Sequence, residues 1–152
     1  MGSLAAISVH SAHAQTANLN VSAEVVTECS LNAGSLNFGQ YVSGQTNAVD
    51  QQVDVTIDCD AMTLLKFSAG NNSDGTDRGM RASGSADILN YQVYQDTARS
   101  FPVGDGTGLG TGMIVPGNPN PNPVTVYARL FGGQTVPADT YSDVIVVTME
   151  IQ

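Results

Sequence analysis

Ala17–Thr27 reads ANLNVSAEVVT. Leu19, Val21, Ala23 and Val25 are apolar, and Asn20, Ser22 and Glu24 between them are polar. Alternation with a period of two marks a strand with one face toward a core and one toward water. The stretch stands just ahead of the first cysteine, Cys29. At the other end of the chain, Val144–Ile151 alternates in the same way. It puts Ile145, Val147, Met149 and Ile151 on one face and runs straight into Gln152. A β-sandwich closed by that strand keeps an apolar edge open. The expectation is that the spare strand at the front of one chain fills the missing place at the back of another.

Between these ends the chain is a succession of short Val/Ile/Leu-rich runs broken by Gly, Asn, Asp, Ser and Thr. Val53, Val55, Ile57 and Cys59 alternate with Asp54, Thr56 and Asp58, the clearest strand of the first half. Leu36 and Phe38 flank Asn37 in a shorter one. Leu65, Phe67 and Ala69 make another, as do Ile88–Tyr94 and Val124–Leu130. The Asn-Pro run GNPNPNP (117–123) cannot sit in a central ladder, because proline lacks the N–H, so it reads as a loop or an extended edge. About seven strands with turns between them, in 152 residues, predict one all-β domain of immunoglobulin-like sandwich architecture.

Charge is sparse and acidic. Five Lys and Arg stand against fourteen Asp and Glu, a net charge of −9. No basic patch exists to neutralise phosphates, which argues against nucleic acid, and the same poverty of cations argues against docking on an anionic membrane. Residues 1–14, MGSLAAISVHSAHA, resemble the end of a signal peptide. Leu4–Val9 is a short apolar run and Ala12-His13-Ala14 a cleavage site, placing the mature start at Gln15. Met1-Gly2-Ser3 reads as a cloning scar or a late start. The expected division is therefore 1–14 signal remnant, 15–27 leading strand and 28–152 core domain. No other segment approaches the length of a membrane span, so no direct membrane insertion is expected.

Cys29 and Cys59 lie thirty positions apart, each at the end of a strand-like run. They are either two buried free thiols or one disulfide, and the export signal favours the disulfide. Closing a loop of that length contributes roughly 3–4 kcal/mol in the chain-entropy picture. Spacing excludes a CxxC redox or zinc motif, and no further Cys or His completes a metal site. GDGTGLGTG (104–112) lacks the Gly-Lys-Ser/Thr ending of a phosphate loop and has no helix pattern after it. Asn71–Asp77 offers oxygens at spacing only loosely like a calcium loop, without the closing Glu. Asp58 and Asp60 flank Cys59 and face outward. His10 and His13 fall in the signal remnant, which leaves no activated nucleophile. The reading is a non-enzyme with no cofactor and no metal.

These features converge on a resemblance. The chain is similar to the spore coat protein U domain family, the subunit type of archaic chaperone–usher pili. The residues that carry it are Cys29 after an alternating leader, LNFGQY (36–41), VDVTIDC ending at Cys59, RGM (78–80), LNYQVY (89–94), GDGTG (104–108), VYARL (126–130) and PADTYSDVIVVTMEI (137–151). Two departures are local. Phe101-Pro102-Val103 stands where a tryptophan often precedes GDGTG, and the Asn-Pro run looks like an insertion.

The resemblance implies an incomplete immunoglobulin-like sandwich, lacking its seventh strand. A periplasmic chaperone lends a strand, and at the outer-membrane usher the leader of the next identical subunit replaces it. The product is a head-to-tail extracellular filament that supports adhesion and biofilm formation. Leu19, Val21, Ala23 and Val25 would be the donor side chains. Val53, Val55, Ile57, Ile145, Val147, Met149 and Ile151 would line the acceptor groove. Two other functions compete with this one. A tip adhesin would need a longer chain and usually lacks a donor strand. A self-contained secreted adhesin or spore-coat domain would fold its leader back into its own groove.

Overall fold

The computed structural model describes residues 2, 3, 5 and 12–152. Positions 1, 4 and 6–11, which include most of the expected apolar run and His10, lie outside the described residues. Among the described residues the chain forms nine strands: β1 (Ser30–Ala33), β2 (Val49–Cys59), β3 (Thr63–Phe67), β4 (Arg78–Ala82), β5 (Ile88–Tyr94), β6 (Met113–Val115), β7 (Asn118–Leu130), β8 (Tyr141–Ser142) and β9 (Val147–Ile151). They make two sheets. One has six strands in the order β1-β2-β7-β5-β4-β8, and the other has three in the order β6-β3-β9. All pairings between strands are antiparallel.

Strand patterning explains the core. Val55, Ile57 and Cys59 of β2 point inward, as do Val126, Ala128 and Leu130 of β7 and Leu89, Tyr91 and Val93 of β5, each at most 4% exposed. Leu65 and Phe67 of β3 meet them from the facing sheet, at 0% and 3%. One contiguous apolar cluster joins the two sheets, the arrangement of a sandwich. Phe38 packs edge-to-face on Tyr91, with ring centroids 5.8 Å apart. Cys29 and Cys59 are joined in a disulfide, with Cα atoms 4.4 Å apart.

Two expectations are corrected. Leu36–Phe38 is not a strand. Asn37 Oδ1 accepts the Gly39 N–H at 2.8 Å and Gly39 has a φ of 75°, so the side chain turns the backbone locally and the segment has no ladder partner. Phe38 is buried there all the same. The last strand is shorter than Val144–Ile151, because residues 143–146 leave the ladder. There the Ser68 side chain intervenes, its Oγ accepting the Val146 N–H at 2.8 Å while the Ser68 N–H reaches Val146 O at 2.9 Å. The Asn-Pro run takes the second of its two expected forms, an extended edge within β7. Ala17–Thr27 pairs with no strand of its own chain and is exposed throughout.

One ion pair fixes the outer face of β2 and β7. Asp50 stands opposite Arg129 and accepts from its Nε at 2.7 Å and Nη2 at 2.9 Å. The Arg129 hydrogen bond, helped by the Arg99 charge, holds the Asp50 carboxyl below the usual carboxylate range. A depressed folded pKa contributes stability above the unfolded value of about 3.9, and that contribution disappears as pH falls through the folded value. Both side chains are 39% exposed, so screening keeps the effect small. Asp50→Asn is expected to cost under about 1 kcal/mol at neutral pH. Denaturant melts of the two proteins should converge once the pH has fallen through the depressed folded value of Asp50.

Candidate functional site: an open cleft beside the last strand

β9 pairs with β3 along one edge, and among the described residues its other edge has no partner. Beside that edge the sandwich opens into a cleft of about 430 Å³. Its floor is apolar, made by Val55, Val126, Tyr91 and Val93 of the six-stranded sheet and Phe67 of the other. One wall is the irregular segment Ala33–Phe38, and the other runs from Tyr141 to Val147. A second hollow of about 510 Å³ continues it. The two share Leu36, Phe38, Met80 and Tyr141, so they form one trough. Residues 39–43 and 136–140 wall the second part, which means that the two walls run in opposite directions.

The trough is tied at its far end. The Gln134 N–H donates to Tyr41 Oη at 2.9 Å and the Val136 N–H to Ser43 Oγ at 3.0 Å. The Gly44 N–H reaches Gln134 O at 2.8 Å and the Gly133 N–H reaches Gln45 O at 2.6 Å. No such cross-links are formed between Ala33–Phe38 and Ile145–Val147, where β9 begins. A hollow with this lining, bounded by one unpaired strand edge, offers main-chain hydrogen bonds and apolar seats for alternate side chains. That is what an added β-strand requires.

One polar group interrupts the floor. Tyr91 Oη donates to Asp143 Oδ2 at 2.7 Å, and Asp143 Oδ1 accepts the Asn71 N–H at 2.8 Å. Burial and the neighbouring Asp143 raise the Tyr91 phenol well above its ordinary value, so it keeps its proton and donates. Gly70, at φ 79°, lies against the Asp143 carboxylate, where a Cβ would collide with it.

Beneath one side of the cleft lies Arg78, fully buried. Its Nε donates to Ser68 O at 3.1 Å, and its Nη2 to Ser68 O and Val103 O at 2.9 Å each. Nη1 donates to Gln92 Oε1. Gln92 is positioned in turn by the Val93 N–H and by Thr76 O. Burial draws the guanidinium below its ordinary range, partly offset by Tyr91 and Asp143. It stays charged, because an arginine begins so far above neutrality. Arg78 thus clamps β3, β4, β5 and the Val103 loop around the cleft floor.

Of the predicted groove residues, Val53, Val55, Ile145 and Val147 line this cleft. Ile57 lies farther along β2, in the core. Met149 is half-buried beyond the cleft, and Ile151 is 51% exposed at the end of the sheet. Leu19, Val21 and Val25 are 88%, 85% and 96% exposed, and Ala23 is exposed beside them. Sequence reading missed the Leu36–Phe38 wall, Phe67 on the floor and the Tyr91–Asp143 pair. The alternation of Leu36 and Phe38 was a usable signal. The long-range partners of Tyr91 left none.

The architecture defines the class: an immunoglobulin-like all-β sandwich with an unpaired edge at its last strand. The model of the spore coat protein U domain matches residues 15–148, and the chain belongs to that family. It is 35% identical to Protein U of Myxococcus xanthus over 164 aligned residues, covering 97% of this chain and 90% of that protein. Among solved structures it is similar to the CsuC–CsuE chaperone–tip adhesion subunit pre-assembly complex from the archaic chaperone–usher Csu pili of Acinetobacter baumannii. There the TM-score is 0.57 at 19% identity, with 84% of this chain matched to 40% of that one. It is also similar to the P pilus rod subunit PapA, at a TM-score of 0.54 and 18% identity, covering 82% of this chain and 99% of that one. At these identities the structural likeness speaks for the fold.

Proposed function

We propose that the protein is a structural subunit of an extracellular chaperone–usher pilus and polymerises by donor-strand exchange. Exported through the periplasm, each subunit is held by a chaperone strand until, at the outer-membrane usher, the leader of the next identical subunit takes the cleft. The filament supports adhesion and biofilm formation at the cell surface. One observation carries the reading: a single chain has both an alternating segment, exposed outside its fold, and an apolar trough along an unpaired strand edge. Leu19, Val21, Ala23 and Val25 are the donor side chains. Val53, Val55, Ile145 and Val147 form part of the acceptor, together with Leu36, Phe38 and Phe67.

The energetics support it. Burying Leu19, Val21 and Val25 at about 1.5–3 kcal/mol each contributes roughly 5–9 kcal/mol before ladder hydrogen bonds and ordering costs. The surfaces that meet are different, so the contact is heterologous and generates an open filament. The test is a thermal melt of oxidised 28–152, alone and with a synthetic peptide of residues 15–27, beside the full chain. A gain of tens of degrees with the peptide is the expected result. A cooperative melt of 28–152 that ignores the peptide would overturn the proposal and favour a self-contained secreted domain.

A further inference from the structure

The sandwich leaves a second edge open. β5 covers β7 only from Tyr127 to Leu130, while β2 covers it along nearly its whole length. Among the described residues, the stretch 118–126 of β7 therefore has a ladder partner on one side alone. The strands that end a sheet, β1, β6 and β8, are four, three and two residues long. Too few hydrogen bonds are available there to hold an incoming strand. By length, the edges of β9, of this part of β7 and of Val49–Asp54 in β2, which β1 does not reach, can seat one, and a row of unpaired N–H groups recruits any extended segment that meets it.

The β7 edge is where the three alternate prolines fall. Pro119, Pro121 and Pro123 are all exposed. The register from Asn122 to Leu130 is unbroken, and just beyond it the Phe131 N–H points to Asn90 O of β5 at 3.3 Å. Pro123 stands eight residues earlier, an even number, so its nitrogen faces that same side, where β5 no longer covers the strand. Between Asn118 and Asn122, β7 spends four residues where β2 spends two, so Pro119 and Pro121 lie in a bulge. A bulge and N–H-free residues are two independent ways to make an edge unable to accept a strand.

We propose that Pro119, Pro121 and Pro123 block strand addition at the β7 edge, so that this edge does not compete with β9 for an incoming strand and the filament does not branch there. The role in filament growth rests on the pilus reading above. The block itself is a property of the single chain.

The test compares the full chain with two triple variants, Pro119→Thr/Pro121→Thr/Pro123→Thr and the same three positions changed to Lys, together with the single Pro121→Thr. Filaments are imaged for mass per length, and unassembled chains are followed by sedimentation. The Thr triple is expected to bundle or branch, with mass per length at least doubled. The Lys triple should remain single, because charge protects an edge as proline does. Pro121→Thr should fall between wild type and the Thr triple, and it keeps the comparison open should the triple misfold. Single, unthickened Thr-triple filaments would overturn the proposal, as would bundling of the Lys triple to the same degree. If the wild type makes no filaments, the pilus reading fails. The block is then read from the sedimentation of unassembled chains, where the Thr variants self-associate and the wild type does not.

Discussion

Val21→Asp is expected to abolish assembly while leaving the melting temperature of the unassembled chain unchanged. Val21 is 85% exposed and pairs with nothing in the monomer, so the monomer loses no contact. In the proposed filament the same side chain sits on an apolar floor of Val55, Val93, Val126 and Phe67. A carboxylate there loses its hydration with no cation beside it, and the only acid on that part of the lining, Asp143, is of the same sign. Burying an unpaired charge costs several kcal/mol, enough to cancel the roughly 5–9 kcal/mol of aliphatic burial in the donor strand. Negative-stain imaging reads assembly, and a thermal melt of the unassembled chain reads the fold. Filaments of normal length from Val21→Asp would place the donor residues elsewhere. A lowered monomer melting temperature would mean that the leader packs on its own chain.

Arg78→Met should strongly destabilise the fold. Methionine fills much of the space, but it leaves behind two backbone carbonyls fixed by the fold. Ser68 O, Val103 O and Gln92 Oε1 all take hydrogen bonds from the guanidinium inside a fully buried site. Gln92 Oε1 keeps the Val93 N–H, and an orphaned buried acceptor costs about 1–3 kcal/mol, so the two carbonyls of Ser68 and Val103 give on the order of 2–4 kcal/mol once relaxation is allowed. For a domain of this size that is a drop of about 10 °C. Arg129→Met serves as the control. Its guanidinium is an exposed partner of Asp50, and its loss should cost under about 1 kcal/mol. Comparable losses from both variants would mean that the buried carbonyls find water or other donors.

What was legible in the sequence was whatever a strand's own pattern determines. Val53 to Cys59 alternates because one face of β2 lies on the core, and the inward set fell as expected at Val55, Ile57 and Cys59. Ile145, Val147 and Met149 likewise alternate with exposed neighbours through and beyond the irregular stretch at 143–146. What was not legible depends on partners far along the chain. Leu36 and Phe38 have a strand's alternation, yet a local Asn37–Gly39 turn and the lack of a neighbour leave them as a wall of the cleft. The prolines of β7 were readable as excluded from a central ladder. Which side of the strand stayed open required knowing where β5 ends. Arg78 carried no warning at all, since nothing in RGM indicates that its guanidinium will be met by Ser68, Val103 and Gln92.

The Cys29–Cys59 bond has a mechanical meaning. In a filament joined through leaders, tension enters each subunit at the residue where its leader meets the fold, which is Cys29. β1 begins at the next residue and holds to β2 by only four residue pairs, Ser30↔Asp58 to Ala33↔Val55, which would peel one at a time under load. The disulfide bypasses them. It passes the pull directly to the end of β2, whose ladder with β7 extends from Cys59↔Asn118 to Val49↔Leu130. In the proposed filament the oxidised subunit would therefore bear load through its longest strand pair, and the reduced subunit through one of its shortest.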